Sequence, residues 1–385
     1  MRIEHIDHYF VKLPERRTHN WASKMETSIG SHLIVRLETD TGLVGWGETP
    51  PIATWGGAHM KYYGESPKTA RSIIDDYLFP VIEGRSPLSI GPINDDMDRK
   101  VKGHPYAKAA IDIALHDLAG KQLDVPVYEL LGGAHRDRIP VAHSLGIMDN
   151  DDAVAEAERA VDEGVTTIKM KAGIDAERDV ELVRRLRETL GPDVAIRIDA
   201  NEGYELRSKA IDVTRRMEEY DIAYMEQPVA DRGDLAIVAD KVSVPIMADE
   251  GAWTPQSVLE LDDRNAAELF SLYVTKPGGL HRAHRVGVVG EAVGMRCDIG
   301  GSIEMGIGNA ANLHLGAAVS IAGMASVTPV NRPAEAYDGE IAGVYYEDDI
   351  VEEPFTYVDG DVLVPSGPGL GITVDESKIA EYSIE

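Results

Sequence analysis

The chain has 385 residues, 43% of them hydrophobic, which is enough for two domains or one barrel with additions and too apolar for disorder to dominate. Sixty-six acids against 38 bases give a formal charge of −28. Such a surface repels phosphate backbones and anionic lipids, which argues against nucleic-acid and membrane partners and reads as solubility, as in a salt-rich cytoplasm. The single cysteine, Cys297, excludes an intrachain disulfide and most structural zinc patterns, and a buried inert thiol is expected of it.

The start, Met1-Arg-Ile-Glu-His, has no basic-then-apolar leader, so a cytoplasmic location is expected. Residues 1 to about 60 alternate apolar and polar positions, as in Leu33-Ile-Val-Arg-Leu-Glu-Thr-Asp40. A break at Asp40-Thr-Gly precedes Leu43-Val-Gly-Trp-Gly-Glu48, the pattern of an antiparallel hairpin or meander. Two loops, about 18–28 and 50–66, carry Trp21, Trp55, Tyr62 and Tyr63. These aromatics read equally as lids over a ligand or as edge packing.

From Pro67 to about Gly132 the period becomes helical, most clearly in Ala107–Lys121, and stops at Leu130-Leu-Gly-Gly. Residues 1–133 are therefore expected to form an α+β unit. From Ile139 short apolar strands alternate with charged amphipathic segments. Strands are predicted at 139–145, 165–171, 194–199, 222–226, 244–248, 269–275, 295–299 and 325–330. Helices are predicted at 150–163, 175–190, 205–219, 255–261, 280–294 and 305–323. The Met305–Asn331 run lacks acids, Lys and Arg, but Asn309, Asn312 and His314 interrupt it, so it reads as a buried helix rather than a membrane span. After Asp338 the pattern returns to strands and turns, and residues 339–385 are expected to rejoin the first domain.

Charge collects at the strand ends. Lys169 and Lys171 end Thr167-Ile-Lys-Met-Lys, on one face of a strand; Asp199, Glu226 and Asp249 end the next three strands, and Lys276 the one after. A closed barrel gathers such ends over one mouth, which an open sheet does not. Three carboxylates without His or Cys suit a hard divalent cation, Mg²⁺ first and Mn²⁺ second. One such acid would read as a helix cap, but three in succession flanked by lysines read as a site. A lysine near a cation and a second ammonium loses its proton readily, which suits proton abstraction beside a carboxylate.

These residues carry a family resemblance. Lys169-Met-Lys171, Asp199-Ala-Asn201, Glu226-Gln-Pro228, Asp249-Glu250, Lys276-Pro-Gly-Gly-Leu280, Asp298-Ile-Gly-Gly-Ser-Ile-Glu304 and Gly42-Leu-Val-Gly-Trp-Gly-Glu48 resemble, in order, the marks of the muconate-lactonizing-enzyme subgroup of the enolase superfamily. The resemblance implies an α/β fold, a modified (β/α)7β TIM-type barrel (134–338) under an α+β capping domain. It implies that Lys171 and Lys276 stand on opposite faces of a small carboxylate substrate, with Lys169 beside them. Asp199, Glu226 and Asp249 would hold the metal. Asn201, Glu250 and Glu304 would support that set or touch substrate, with Trp21 and Trp55 from the capping loops. A homo-oligomer is expected by resemblance alone.

The end of the last predicted strand, Ser326-Val-Thr-Pro-Val-Asn331, lacks the acid of muconate cycloisomerases and the acid pair of dipeptide epimerases. The implied half-reaction is enediolate formation, leading to racemisation, epimerisation or cycloisomerisation. A β-eliminating lyase or dehydratase and a noncatalytic metal-binding barrel are the alternatives. Two weaker motifs are set aside. His281-Arg-Ala-His284 lacks a third zinc ligand, and Gly306-Ile-Gly308 lacks the ribose-binding acid of a dinucleotide loop.

Overall fold

The computed structural model describes residues 1–16, 19–22, 31–53, 55, 64–328 and 345–384. The alternating start forms β1 (Ile3–Val11), β2 (His32–Thr39) and β3 (Val44–Thr49), an antiparallel meander. Leu33, Val35 and Leu37 of β2 pack with cap helices, while Ile34 faces the main core, so the strand is buried on both sides. Helix α1 (Pro67–Ile73) continues through a π-helical turn, Ile74–Leu78, into α2 (Phe79–Ile82). Then come α3 (Ile90–Lys100), α4 (Pro105–Leu123) and α5 (Val127–Leu130). Helix α4 is buried on every side from Pro105 to Gly120, and its buried charged groups are partnered, Lys108 by Asp98, Asp112 by Asn94 and Asp117 by Lys121. It lies directly on β3 because Gly47 has no side chain: a Cβ there would stand 1.9 Å from the Ala110 carbonyl oxygen.

The second unit is built of strand–helix repeats. It runs β4 (Arg138–Pro140), β5 (Ala142–Leu145), α6 (Asn150–Asp162), β6 (Thr167–Lys171), α7 (Ala176–Leu190), β7 (Ala195–Asp199), α8 (Arg207–Glu218) and β8 (Tyr224–Glu226). It continues with α9 (Arg232–Lys241), β9 (Ile246–Ala248), α10 (Pro255–Asp263), β10 (Leu269–Leu272), α11 (Leu280–Ala292), β11 (Arg296–Ile299) and α12 (Gly306–Ala318). Asp149, Asp175, Asp231 and Thr254 cap α6, α7, α9 and α10 by accepting first-turn N–H groups. Strands β5 to β11 form one parallel seven-stranded sheet in sequence order.

The two edges of that sheet meet at Ser326. Its backbone bonds to Pro140 and Ala142 on one side, and its hydroxyl accepts the Ile299 N–H on the other. The fold is thus α/β, with parallel strands curled under a separate capping domain.

Several boundaries differ from the expectations. The strand predicted at 139–145 is two, β4 and β5; β10 stops at Leu272; and α9 was not predicted at all. The strand predicted at 325–330 is, among the described residues, a single parallel bridge between Ser326 and Val141, with 329–330 outside them. The run from Met305 is the buried helix α12, and no helix among the described residues is long and apolar enough to cross a membrane. Cys297 is buried.

The C-terminal segment supplies β12 (Tyr357–Val358), β13 (Asp361–Leu363), α13 (Glu376–Tyr382) and β14 (Ser383–Ile384). It touches both units: β13 pairs with β4, and β14 pairs with β1 of the cap.

Candidate active site

Strand pairing fixes the site in layers, because residues two apart share a face. Register sets Ser144, Lys169, Arg197 and Tyr224 side by side, and above them Lys171, Asp199 and Glu226. In the lower layer Arg197 is fully buried and reaches Asp298 of β11 at 2.9 Å and the Ala325 carbonyl at 2.9 Å.

In the upper layer the lysines converge on the acids. The Lys169 ammonium lies 2.7 Å from Glu226 Oε1 and 2.8 Å from Asp199 Oδ2. Lys171 donates to the same Asp199 Oδ2 at 2.7 Å and to Asn201 Oδ1 at 2.9 Å. The Asn201 amide donates in turn to Glu250 at 3.0 Å. Burial alone would lower the Lys169 pKa, but Asp199 and Glu226 outweigh it and hold it well above the ordinary value. Burial likewise opposes ionisation of Asp199, yet the two ammonium groups keep that carboxyl below its usual range.

Lys276 sits apart. Its ammonium bonds Asp249 Oδ1 and the Ser271 carbonyl, each at 2.6 Å, and lies 4.2 Å from the Tyr273 ring centre. Both Asp249 carboxylate oxygens are engaged, the second by the Tyr273 hydroxyl at 3.0 Å. Lys276 therefore faces the acid rather than the cleft.

That cleft, of about 610 Å³, is walled by Lys169, Lys171, Asn201 and Asp249 on the charged side and by Trp21, Trp55, Tyr273 and Tyr345 on the aromatic side. Trp55 lines it and also packs, 5.5 Å from Tyr273 and 5.1 Å from Trp253. Tyr62, Tyr63 and much of both capping loops lie outside the described residues. Glu304 does not wall the cleft. Its carboxylate folds back onto the Ser302 N–H at 2.9 Å and braces its own turn, and burial pushes its pKa up to about 7.

The donor chemistry fits a hard cation. Glu226 Oε2 and Glu250 Oε2 are buried without a hydrogen-bond partner. Burial, then the neighbouring Asp199, pushes Glu226 up to about 8; burial, then Asp249, pushes Glu250 well up and Glu202 to about 7. Carboxylates this crowded call for more positive charge than the lysines supply. Among the described residues, however, no three His, Cys, Asp or Glu side chains stand ready around one point, since ammonium groups occupy Asp199 and Asp249.

Sequence reasoning passed over Ser144, Arg197, Tyr273, Tyr345 and Glu202. The first two were findable by counting in twos from Lys169 and Asp199 along paired strands. Tyr345 and Glu202 carry no such signal.

Comparison with known proteins decides the family. The family model described as "Mandelate racemase / muconate lactonizing enzyme, N-terminal domain" matches residues 11–132, and "Enolase C-terminal domain-like" matches residues 152–378. The chain belongs to the enolase superfamily, in its muconate-lactonizing-enzyme subgroup. This superfamily member is 31% identical to the N-succinyl-L-Arg/Lys racemase of Bacillus cereus over 100% of its own length and 98% of that protein. It is 32% identical to muconate cycloisomerase 1 of Rhodococcus opacus, over 100% and 99%. The crystal structure of 2-chloromuconate cycloisomerase from Rhodococcus opacus 1CP superposes with a TM-score of 0.90 at 32% identity, covering 100% of both chains. The chain is an isomerase of this superfamily, of the racemase and cycloisomerase kind.

Proposed function

We propose that this isomerase removes the proton α to a carboxylate of a small substrate and, through an enediolate, returns a proton as a racemase, epimerase or cycloisomerase. The observation that carries the reading is the Lys171 ammonium, 2.7 Å from buried Asp199 on the cleft wall, with a second lysine, Lys276, held at the neighbouring acid. Lys171 takes or gives the proton on one face. Lys276, released from Asp249, does so on the other. Lys169 stays charged beside Asp199 and Glu226, next to the position a substrate carboxylate would take. Asn201 fixes the Lys171 ammonium by its carbonyl and Glu250 by its amide. Trp21, Trp55, Tyr273 and Tyr345 share the cleft lining with the lysines and offer the substrate an apolar contact surface.

Asp199, Glu226 and Asp249, backed by Glu250, would hold Mg²⁺, or Mn²⁺ in its place. The ion would supply charge stabilisation for a substrate carboxylate gaining negative charge. The finer fold belongs to the same reading: a (β/α)7β barrel in which the segment at Ser326 serves as the eighth strand. Relatives named for racemising N-succinyl-Arg/Lys and for cycloisomerising muconate support a proton transfer beside a carboxylate.

The test is solvent-deuterium exchange, followed by proton NMR, into a panel of amino-acid derivatives, hydroxyprolines and their betaines, and muconate. Exchange into at least one acid is expected, lost for one enantiomer in Lys171→Ala and for the other in Lys276→Ala. Exchange into none, or exchange untouched by both substitutions, overturns the reading. Release of a β-substituent in place of reprotonation would make the enzyme a lyase.

A further inference from the structure

Three segments far apart in the sequence meet behind the cleft. His32 opens β2, and Glu48 stands on β3 opposite Ile34, so register puts both on the sheet face that carries Ile34. His32 Nδ1 contacts Glu48 Oε1 at 2.7 Å. The Glu48 carboxylate accepts the Met305 N–H at 2.6 Å and the Gly308 N–H at 2.7 Å, at the start of α12. A Cβ at Gly308 would crowd Glu304 at 2.7 Å and Glu48 at 3.3 Å, which gives that glycine a role without any nucleotide.

The chain continues on the other nitrogen. His32 Nε2 lies 2.8 Å from the Tyr346 hydroxyl, which donates to the Ile303 carbonyl at 2.9 Å. With the hydroxyl hydrogen spent there, Nε2 is the donor to Tyr346. All three side chains are at most 2% exposed. What they grip is strained: Ile303 has φ +66°, a left-handed conformation that a β-branched residue holds only under constraint. Ile303, with Gly300, Gly301 and Ser302, walls the cleft, as does Tyr345, whose neighbour Tyr346 alternates to the far side.

We infer that His32, Glu48 and Tyr346 are positioning residues that latch the capping sheet to the Gly300–Ile303 wall and hold that wall in its strained shape. None of them lines the cleft. They set its outline from behind, so that a cap misplaced on the barrel also misshapes the pocket.

The test uses the full chain, with Tyr346→Phe, which keeps the ring and deletes the hydroxyl, His32→Gln, and the two combined. Hydrogen–deuterium exchange read by mass spectrometry is expected to run about tenfold faster in the peptide covering 300–305 in each single variant, the weight of one buried hydrogen bond. The double variant is expected to go no further than the stronger single, because one chain is cut twice. A peptide from β7 to β8 keeps its wild-type rate.

The kinetic arm rests on the proposed function. For an acid that exchanges, KM is expected to rise about tenfold with kcat within about twofold, since the lysines keep their places. If no acid exchanges, the proposed function fails while the amide exchange still decides this inference. Unchanged exchange at 300–305 in both single variants overturns it. So does equal acceleration throughout the molecule, the mark of general loosening, and so do additive effects in the double variant.

Discussion

The guanidinium of Arg197 and the carboxylate of Asp298 meet at 2.9 Å although β7 and β11 stand four places apart in the sheet. The contact crosses the interior beneath the lysines, with both groups at most 1% exposed, so removing either partner leaves a buried charge without its counter-ion. Arg197→Met is expected to cost about 3–5 kcal/mol in urea unfolding, because it strands a buried carboxylate. Pairing it with Asp298→Leu should recover much of that loss. An unchanged unfolding midpoint in the single variant would show that the pair bears no weight.

Cation binding has a signature independent of turnover. Glu226 and Glu250 each bury an oxygen with no partner, and their upward-shifted carboxyls relax if positive charge arrives. Millimolar Mg²⁺ should therefore raise the melting temperature by roughly 2–5 °C, as expected when a ligand near 100 times its Kd binds only the folded state. Glu226→Gln should abolish most of that rise. Identical melting of the wild type with Mg²⁺ and with EDTA would remove the ion from the site.

The two lysines make a stereochemical prediction. If Lys171 and Lys276 serve opposite faces, Lys171→Ala should stop deuterium exchange into one enantiomer and Lys276→Ala into the other. Each loss should be on the order of 10²–10⁴, the range of one positioned acid–base group. Loss of both enantiomers in one variant alone would point to a single base. Lys276 must also leave Asp249 and the Ser271 carbonyl to act. Tyr273→Phe, which frees one Asp249 oxygen, should then alter exchange through the Lys276 face more than through the Lys171 face.

His314 predicts a pH dependence of stability. It is fully buried in α12, donates from Nε2 to the Leu370 carbonyl at 3.1 Å, and leaves Nδ1 without a partner. Burial lowers its pKa from 6.5 to about 4. The unfolded chain binds this proton near pH 6.5 while the folded chain refuses it until about pH 4, so stability falls as pH falls through that window. At about 1.4 kcal/mol per pH unit, His314→Gln should gain roughly 2–3 kcal/mol on the wild type between pH 7 and pH 4.5, measured by urea titration at both. A constant difference across that range contradicts the assignment.

The site was legible where charge follows strand period. Lys169, Lys171, Asp199 and Glu226 end short apolar runs, and a count of two along each strand is enough to set them on one face. The turn of Lys276 toward Ser271 was not legible, because it depends on an acid 27 residues away and on the ring of Tyr273. The conformation of Glu304 was not legible for a similar reason: a glutamate in a glycine turn can project outward or fold onto its own backbone, and only the Ser302 N–H decides. Helix α9 hid because it opens Arg-Gly-Asp and buries only Leu235 and Val238 among its apolar residues, too sparse a stripe to count. The bond of His32 to Tyr346 spans 314 positions, beyond any local pattern.

The pairing of β14 with β1, Ile384 against Phe10 and Ser383 against Val11, has a consequence for synthesis. While the ribosome is still at work, the first strand of the cap presents a row of bare amides and carbonyls, the kind of surface that recruits other nascent chains. The late-made β14 covers that border at Phe10 and Val11. A chain lacking Ser383 and Ile384 should therefore accumulate as aggregate more readily than its lost contacts alone explain, and a chaperone that shields strand borders should rescue it.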